Sequence, residues 1–210
     1  MGKLERKGKI TKHYVVSLYG RPVEIIGGVK MLDIYIKQHP EATYQEYPCY
    51  SDAIDARRGW IRNNRMEVQY TDGGRSAAGY KGRARDCVVR SIAIATGIPY
   101  QKVYDGIKLL AETEGYCKHN FPKSNPETGV RPVTSGRYLE SVGFVWVPLM
   151  SKGKRCRVHL RKDELPNGRL VVAVSGHLTA VINGVIYDDH DCSRSGARCV
   201  YGYYIKKFWD

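Results

Sequence analysis

The dipeptide Asn183-Gly184 fixes more of this chain's geometry than any other local stretch. A two-residue type I′ loop needs positive φ at both central positions, and Asn-Gly is the pair that adopts it most readily. Its flanks, Thr179-Ala180-Val181-Ile182 and Val185-Ile186-Tyr187-Asp188, are mostly β-branched, apolar or aromatic. The segment therefore reads as an antiparallel hairpin. Such a loop sets the register: Ile182 lies opposite Val185, Thr179 opposite Asp188, and His177 opposite His190. His177 and Asp188 then become diagonal neighbours on one face of the sheet. Diagonal pairs are about 7–8 Å apart, which side chains can bridge. Asp189 faces the other way unless the strand bulges, and Asp191 lies near the end of the pairing.

A second segment gives this hairpin a chemical meaning. Arg85-Asp86-Cys87-Val88-Val89-Arg90-Ser91-Ile92-Ala93 opens an apolar helix that Thr96-Gly97-Ile98-Pro99 ends. Asp86 has the chemistry of an N-cap, which places Cys87 at the first helical position. A helix N-terminus stabilises negative charge and so favours the thiolate. Cys87 as nucleophile, His177 as general base and Asp188 as the group that orients the imidazole make a consistent catalytic set. His190 is a rival base, and His159 a weaker one. The oxyanion donors are less evident. The Cys87 backbone N–H is one, but no glutamine precedes the nucleophile. That stretch carries Lys81, Arg83 and Arg85, so a basic side chain or the backbone of the glycine loop must supply the rest.

That loop, Thr71-Asp72-Gly73-Gly74-Arg75-Ser76-Ala77-Ala78-Gly79-Tyr80-Lys81-Gly82-Arg83, is too glycine-rich for a helix. Loops of this kind cradle phosphates through their N–H groups, although no Walker or dinucleotide pattern is present. Lying just before Cys87, it is expected to line the same cleft, with Arg75, Lys81, Arg83 and Arg85 as binding residues.

Length and composition bound the remainder. The chain has 210 residues, 42% of them hydrophobic, enough for one full domain and an appendage. The net charge of +13 favours acidic partners, either nucleic acid or an acidic protein face. No run approaches a membrane span, and no apolar stretch follows the basic Met1-to-Lys9 segment. The expectation is a cytoplasmic protein with no membrane partner. Six cysteines (49, 87, 117, 156, 192 and 199) lack Cys-x-x-Cys spacing, so reduced thiols are expected. Cys192 and Cys199 with His190 are a metal-ligand set the sequence offers but does not favour, and no metal or organic cofactor is implied.

Residues 1–66 form the expected appendage: a mobile basic arm, then strand, strand, helix, strand, helix. Met31, Ile34 and Tyr35 lie at helical spacing, and Ser51-Asp52 caps the last helix. Residues 67–210 form the expected main domain. It holds a helix with Val103, Ile107 and Leu110 inward, a long polar loop over 115–134, and a helix over 134–142. Strands follow over 144–149 and 170–174, then the hairpin, then a strand within 196–208. The fold class is α+β.

Two resemblances add to this reading. Tyr14-Val15-Val16, Gly20-Arg21-Pro22, Tyr44, Tyr47, Ala53 and Trp60 resemble the viroplasmin-like domain that precedes some ribonucleases H, which implies binding of RNA-containing duplexes. That family's helix-starting Trp and its Gly after Pro are missing. The second covers about residues 70–204. Asp86-Cys87 opening a helix, His177 on a strand and Asp188 after a hairpin resemble the papain-like superfamily near the bacteriocin-processing peptidases. Gly74-Arg75, Ala78-Gly79-Tyr80-Lys81-Gly82, Asp86-Cys87-Val88-Val89-Arg90, His159-Leu160, Asp163-Glu164-Leu165-Pro166, His177-Leu178-Thr179-Ala180-Val181 and Val200-Tyr201-Gly202-Tyr203 resemble uncharacterised phage and prophage proteins. The resemblance implies a papain-like helix on an antiparallel sheet, with Cys87 and His177 as nucleophile and base. The expected activity is a phage-type thiol peptidase, or a related acyl-transfer enzyme, acting on a protein or peptide amide in the host cytoplasm. The alternative is a basic module on an inactive scaffold that binds nucleic acid or an acidic host protein and counters host defence.

Overall fold

The computed structural model describes residues 12–115, 122–150 and 156–207. The N-terminal arm, part of the 115–134 loop and most of the basic 151–157 stretch lie outside the described residues. The chain divides into two units, Met1–Asn63 and Asn64–Asp210.

The first unit contains β1 (His13–Leu18), β2 (Arg21–Gly27), α1 (Val29–Gln38), β3 (Ala42–Tyr47) and α2 (Tyr50–Asn63). This is the element order expected. The three strands form one antiparallel sheet in the order β2-β1-β3. Its core is Tyr14, Val16, Ile26 and Leu32, with Tyr35 and Ile36 packed against it. The inward stripe of α1 is therefore Leu32, Tyr35 and Ile36, whereas Met31 and Ile34 are exposed. Two stripes offset by one residue fit the same apolar text, and the sheet selects the one whose side chains reach Tyr14 and Val16. Helix α2 begins at Tyr50, which puts Ser51 and Asp52 inside its first turn rather than at its cap.

The second unit is α+β. It contains β4 (Glu67–Tyr70), α3 (Cys87–Thr96), α4 (Tyr100–Glu112), α5 (Pro132–Ser141), β5 (Phe144–Pro148), β6 (Arg169–Val174), β7 (His177–Ile182), β8 (Val185–Asp188) and β9 (Val200–Lys206). The sheet order is β4-β8-β7-β6-β9-β5. Every pairing is antiparallel except the β4–β8 edge pair, which is parallel. Strand β4 was not expected; Glu67-Val68-Gln69-Tyr70 looks like the approach to the glycine loop until β8 is there to pair with it.

Both faces of the sheet are buried, which explains the uninterrupted apolar run in β6. Val171 and Ala180 face α3, α4 and α5 and join Val89, Ile92, Val103, Ile107 and Leu139. Leu170, Val172 and Val174 face the other way and join Val181, Ile186, Leu160, Met66 and Cys192. Each fully buried aliphatic side chain contributes about 1.5–3 kcal/mol. On α4 the fully buried positions are Val103 and Ile107; Leu110 is only partly buried, and Ala111 takes the inner place one residue on. Helix α3 is buried on nearly every side. Gly97 ends it in the left-handed conformation at φ 74°. Its last carbonyls are held by Arg169, whose Nε donates to Ala95 O at 2.7 Å and Nη2 to Ile94 O at 2.6 Å. The cation complements the negative end of the helix dipole.

The expectation of wholly reduced thiols is overturned: Cys156 and Cys199 form a disulfide. The cause is long-range pairing. His159 and Cys199 form an isolated antiparallel bridge, and Val200 N–H donates to Val158 O at 2.9 Å, which brings the cysteine Cα atoms within 5.9 Å. Among the described residues Cys49, Cys87 and Cys192 are free. No described helix is long and apolar enough to cross a membrane.

Candidate active site

The hairpin adopts the predicted register, with Ile182 opposite Val185 and Val181 opposite Ile186. Asn183 and Gly184 take φ of 48° and 78°. That register brings the diagonal pair into contact, and His177 Nε2 lies 2.7 Å from Asp188 Oδ2. The other Asp188 oxygen accepts the Asp189 N–H at 2.8 Å. The carboxylate is thus fixed on both sides, which orients the imidazole.

Cys87 occupies the first position of α3, which packs against β7. Burial raises its pKa, but the His177 side chain, the Leu178 backbone and the charges of His177 and Arg90 outweigh it, and the thiol titrates below its ordinary range. Burial lowers the His177 pKa, while Asp188, Cys192 and Cys87 raise it more, to about 11. Asp188 is pulled well below the usual carboxylate range: burial opposes its charge and the imidazole more than compensates. The three groups therefore favour a thiolate, an imidazolium and a carboxylate.

Asp86 does not cap the helix. It stands at the N-cap position, but its carboxylate makes no capping hydrogen bond and is 1% exposed. It accepts instead from Arg90 Nε at 3.0 Å and Tyr100 OH at 2.7 Å. Arg75 Nε stands 3.0 Å from the same carboxylate, as an ion pair lacking the alignment of a hydrogen bond. Two hydrogen-bond donors and a second guanidinium at once outcompete the cap. The first-turn N–H groups of α3, which have no intrahelical acceptor, are left without that side-chain partner. Arg90 continues the network to Asp189 at 2.5 Å, and Asp189 meets His190 Nδ1 at 2.6 Å. The His190 ring lies 5.0 Å from that of His177.

A cleft of about 1100 Å³ opens over this site. Cys87, His177 and Arg85 line it, with Trp146, Tyr201 and Val133 among its apolar walls. The rim segment 128–130 also lines it and is tied to the approach to Cys87, because Arg85 N–H donates to Glu127 O at 2.7 Å. The glycine loop does not line this cleft. It borders a separate cavity of about 540 Å³ with Asp72, Arg75, Arg83, Arg90 and His190. The N–H groups of Gly74 and Ser76, at its turn, are already occupied: Asp72 accepts from them at 3.0 Å and 2.8 Å. A phosphate would find its cradle filled by a carboxylate of the same loop. Of the four expected binding residues, Arg75 is consumed by Asp86 and by Lys81 O, Arg83 faces the second cavity, Lys81 borders neither, and Arg85 alone reaches the main cleft.

Of the rival bases, His159 sits beside the disulfide, 3.6 Å from Cys156 Sγ, and pairs with Glu164. His190 is exposed at the cleft mouth and paired with Asp189. Two residues of the site escaped sequence reasoning. Arg90 carried a usable signal, since a charged residue four positions after Asp86 on a buried helix needs a partner. Cys192, whose thiol raises the pKa of His177, stood out in the sequence only beside Cys199 and His190, a different ligand set. The chain matches no protein-family model, no curated protein and no solved structure.

Proposed function

We propose that this chain is a papain-like thiol enzyme that cleaves or transfers the acyl group of a protein or peptide amide. The observation that carries this reading is that Cys87 and His177 line one partly apolar cleft, while the buried Asp188 holds the His177 imidazole at 2.7 Å. The thiolate attacks the substrate carbonyl carbon, and the carbonyl π pair moves to oxygen. In this reading the Cys87 backbone N–H and the neighbouring first-turn N–H are the donors for that developing charge. Asp86 supports this role by turning its carboxylate away, since a capping carboxylate would occupy those donors and repel an oxyanion. Arg85, at the cleft wall, adds a positive charge. The tetrahedral intermediate collapses, the C–N bond breaks, and His177 gives its proton to the departing amine. The thioester that remains is attacked by water, or by an amine in a transferase, with His177 accepting the proton; the C–S bond then breaks, which releases the acyl product and restores the Cys87 thiolate beside the imidazolium.

The test is selective alkylation. Iodoacetamide near pH 6 should label Cys87 faster than Cys49, Cys117 and Cys192, with label positions read by mass spectrometry. Equal rates would remove the reading's foundation.

A second reading, a basic binding module, is favoured by a different observation. Lys81, Arg83 and Arg85 are exposed within five residues of chain, with no ion pair among the described residues. Phosphate-driven binding to a nucleic-acid duplex would weaken steeply with salt, and no detectable affinity at about 50 mM salt removes it. Binding of an acidic host protein would survive Cys87→Ala unchanged.

A further inference from the structure

Acyl transfer leaves one thiol unexplained. Cys192 is 6% exposed, free, and four residues past Asp188 in the turn that follows β8. Its Sγ, an imidazole nitrogen of His177 and a carboxylate oxygen of Asp188 all lie within 4.8 Å of one another. Thiolate, imidazole and carboxylate are the donors that borderline-soft divalent ions take together. Around a tetrahedral ion with bonds of about 2.0–2.3 Å, donor atoms stand roughly 3.4 Å apart. The tightest pair here, His177 Nε2 and Asp188 Oδ2, is at 2.7 Å. That pair must open, and the widest must close, by shifts of order 1 Å.

Two further observations point to an ion. The Thr179 hydroxyl is fully buried, lacks a hydrogen bond of good geometry, and interacts with the Asp188 carboxylate. Its oxygen accepts from no donor among the described residues. The Asp189 N–H already holds the second Asp188 oxygen, which is the outer support that ligating carboxylates need. A neighbouring cluster of Asp188, Asp189 and His190 is a poorer candidate: it is mostly exposed, has no sulfur, and Arg90 sits 2.5 Å from Asp189. Cys87 belongs to neither cluster.

We propose that His177, Asp188 and Cys192 form a site for a zinc-class cation. The site does not rest on the thiol-enzyme reading. The ion takes the Nε2 lone pair, one Asp188 oxygen and the Cys192 thiolate. Two protons leave, one from the imidazolium and one from the thiol.

The experiment uses the full chain, stripped of metal, with its disulfide intact. Zn2+ is titrated against a chromophoric chelator, and Co2+ serves as the spectroscopic probe. One equivalent should bind, the Co2+ complex should show thiolate-to-cobalt charge-transfer absorption, and Cys192→Ser should weaken Zn2+ affinity at least tenfold. Should Cys192→Ser not fold, the variant Cys49→Ser/Cys87→Ala/Cys117→Ser decides, since Cys192 is then the sole thiol outside the disulfide. It should keep the band. Loss of the band there, its absence in the unaltered protein, or undiminished affinity in Cys192→Ser overturns the site. If Cys87 reacts no faster than Cys49 without metal, the enzyme reading falls while the metal-binding result stands.

Discussion

Replacing Asp86 by Asn separates two roles for this residue. A capping Asp is almost freely exchanged, because Asn, Asp and Ser are nearly equal at the N-cap. A charge hub is not. The Asp86 carboxylate accepts from Arg90 and Tyr100 and pairs with Arg75, at 1% exposure. Removing one member of a buried ion pair costs about 3–5 kcal/mol, since the partner charge stays desolvated. Arg90 keeps Asp189, and Arg75 keeps Lys81 O, which places the expected loss near the lower end, about 3 kcal/mol. For a unit of this size each kcal/mol lowers Tm by about 2–4 °C, so Asp86→Asn should melt about 6–12 °C lower. Tyr100→Phe removes a single hydrogen bond to the charge and should cost about 1.5–3 kcal/mol. Urea denaturation followed by circular dichroism measures both. If Asp86→Asn falls within about 1 kcal/mol of the unaltered protein, the hub account is wrong and the residue is an ordinary cap.

Other expectations follow from the same contacts. Because His177 is raised to about 11, its pairing stabilises the fold fully below its ordinary value of 6.5 and fades as pH rises towards 11. Asp188 is depressed, so its share is full above its ordinary 3.8 and is lost as pH falls below that. The destabilisation caused by His177→Gln, measured by denaturation across pH, should therefore be largest from about pH 4 to 6.5 and shrink in alkali; a constant difference would contradict the pairing. Asp188→Asn should raise the Cys87 pKa and cut its alkylation rate at pH 6 at least tenfold, a change followed through thiolate ultraviolet absorbance. Reducing the Cys156–Cys199 bond reopens a loop spanning a separation of 43 residues. Chain entropy values such a closure at about 4 kcal/mol, and a loss below about 1 kcal/mol on reduction would speak against the bond contributing to stability.

What the sequence made legible is mostly what is local. Asn183-Gly184 dictated the hairpin, and the hairpin dictated that Asp188 meet His177, because a two-residue loop leaves one register. The start of α3 was equally readable from Asp86-Cys87 and the apolar run. Reading failed where distant segments decide. Strand β4 exists because β8 offers it a parallel edge, and the disulfide exists because residues 158–159 pair with 199–200. Asp86 looked like a cap since nothing nearby revealed that Arg75 and Tyr100 fold back onto it. The α1 stripe slipped by one residue because Met31 and Leu32 are both apolar, and only the sheet distinguishes them.

The glycine loop has a consequence beyond its missing phosphate. Gly73 has φ of 66°, and a Cβ there would stand 3.1 Å from the Cα and carbonyl oxygen of Arg90. Any larger residue at 73 would press on the helix that carries Cys87, and so on the spacing between sulfur and imidazole. In a saturation mutagenesis screen scored by Cys87 alkylation, position 73 should be among the least tolerant, although it borders no cleft. Intolerance there would report the seating of a helix, and a map of sensitive positions would draw the proposed catalytic centre larger than it is.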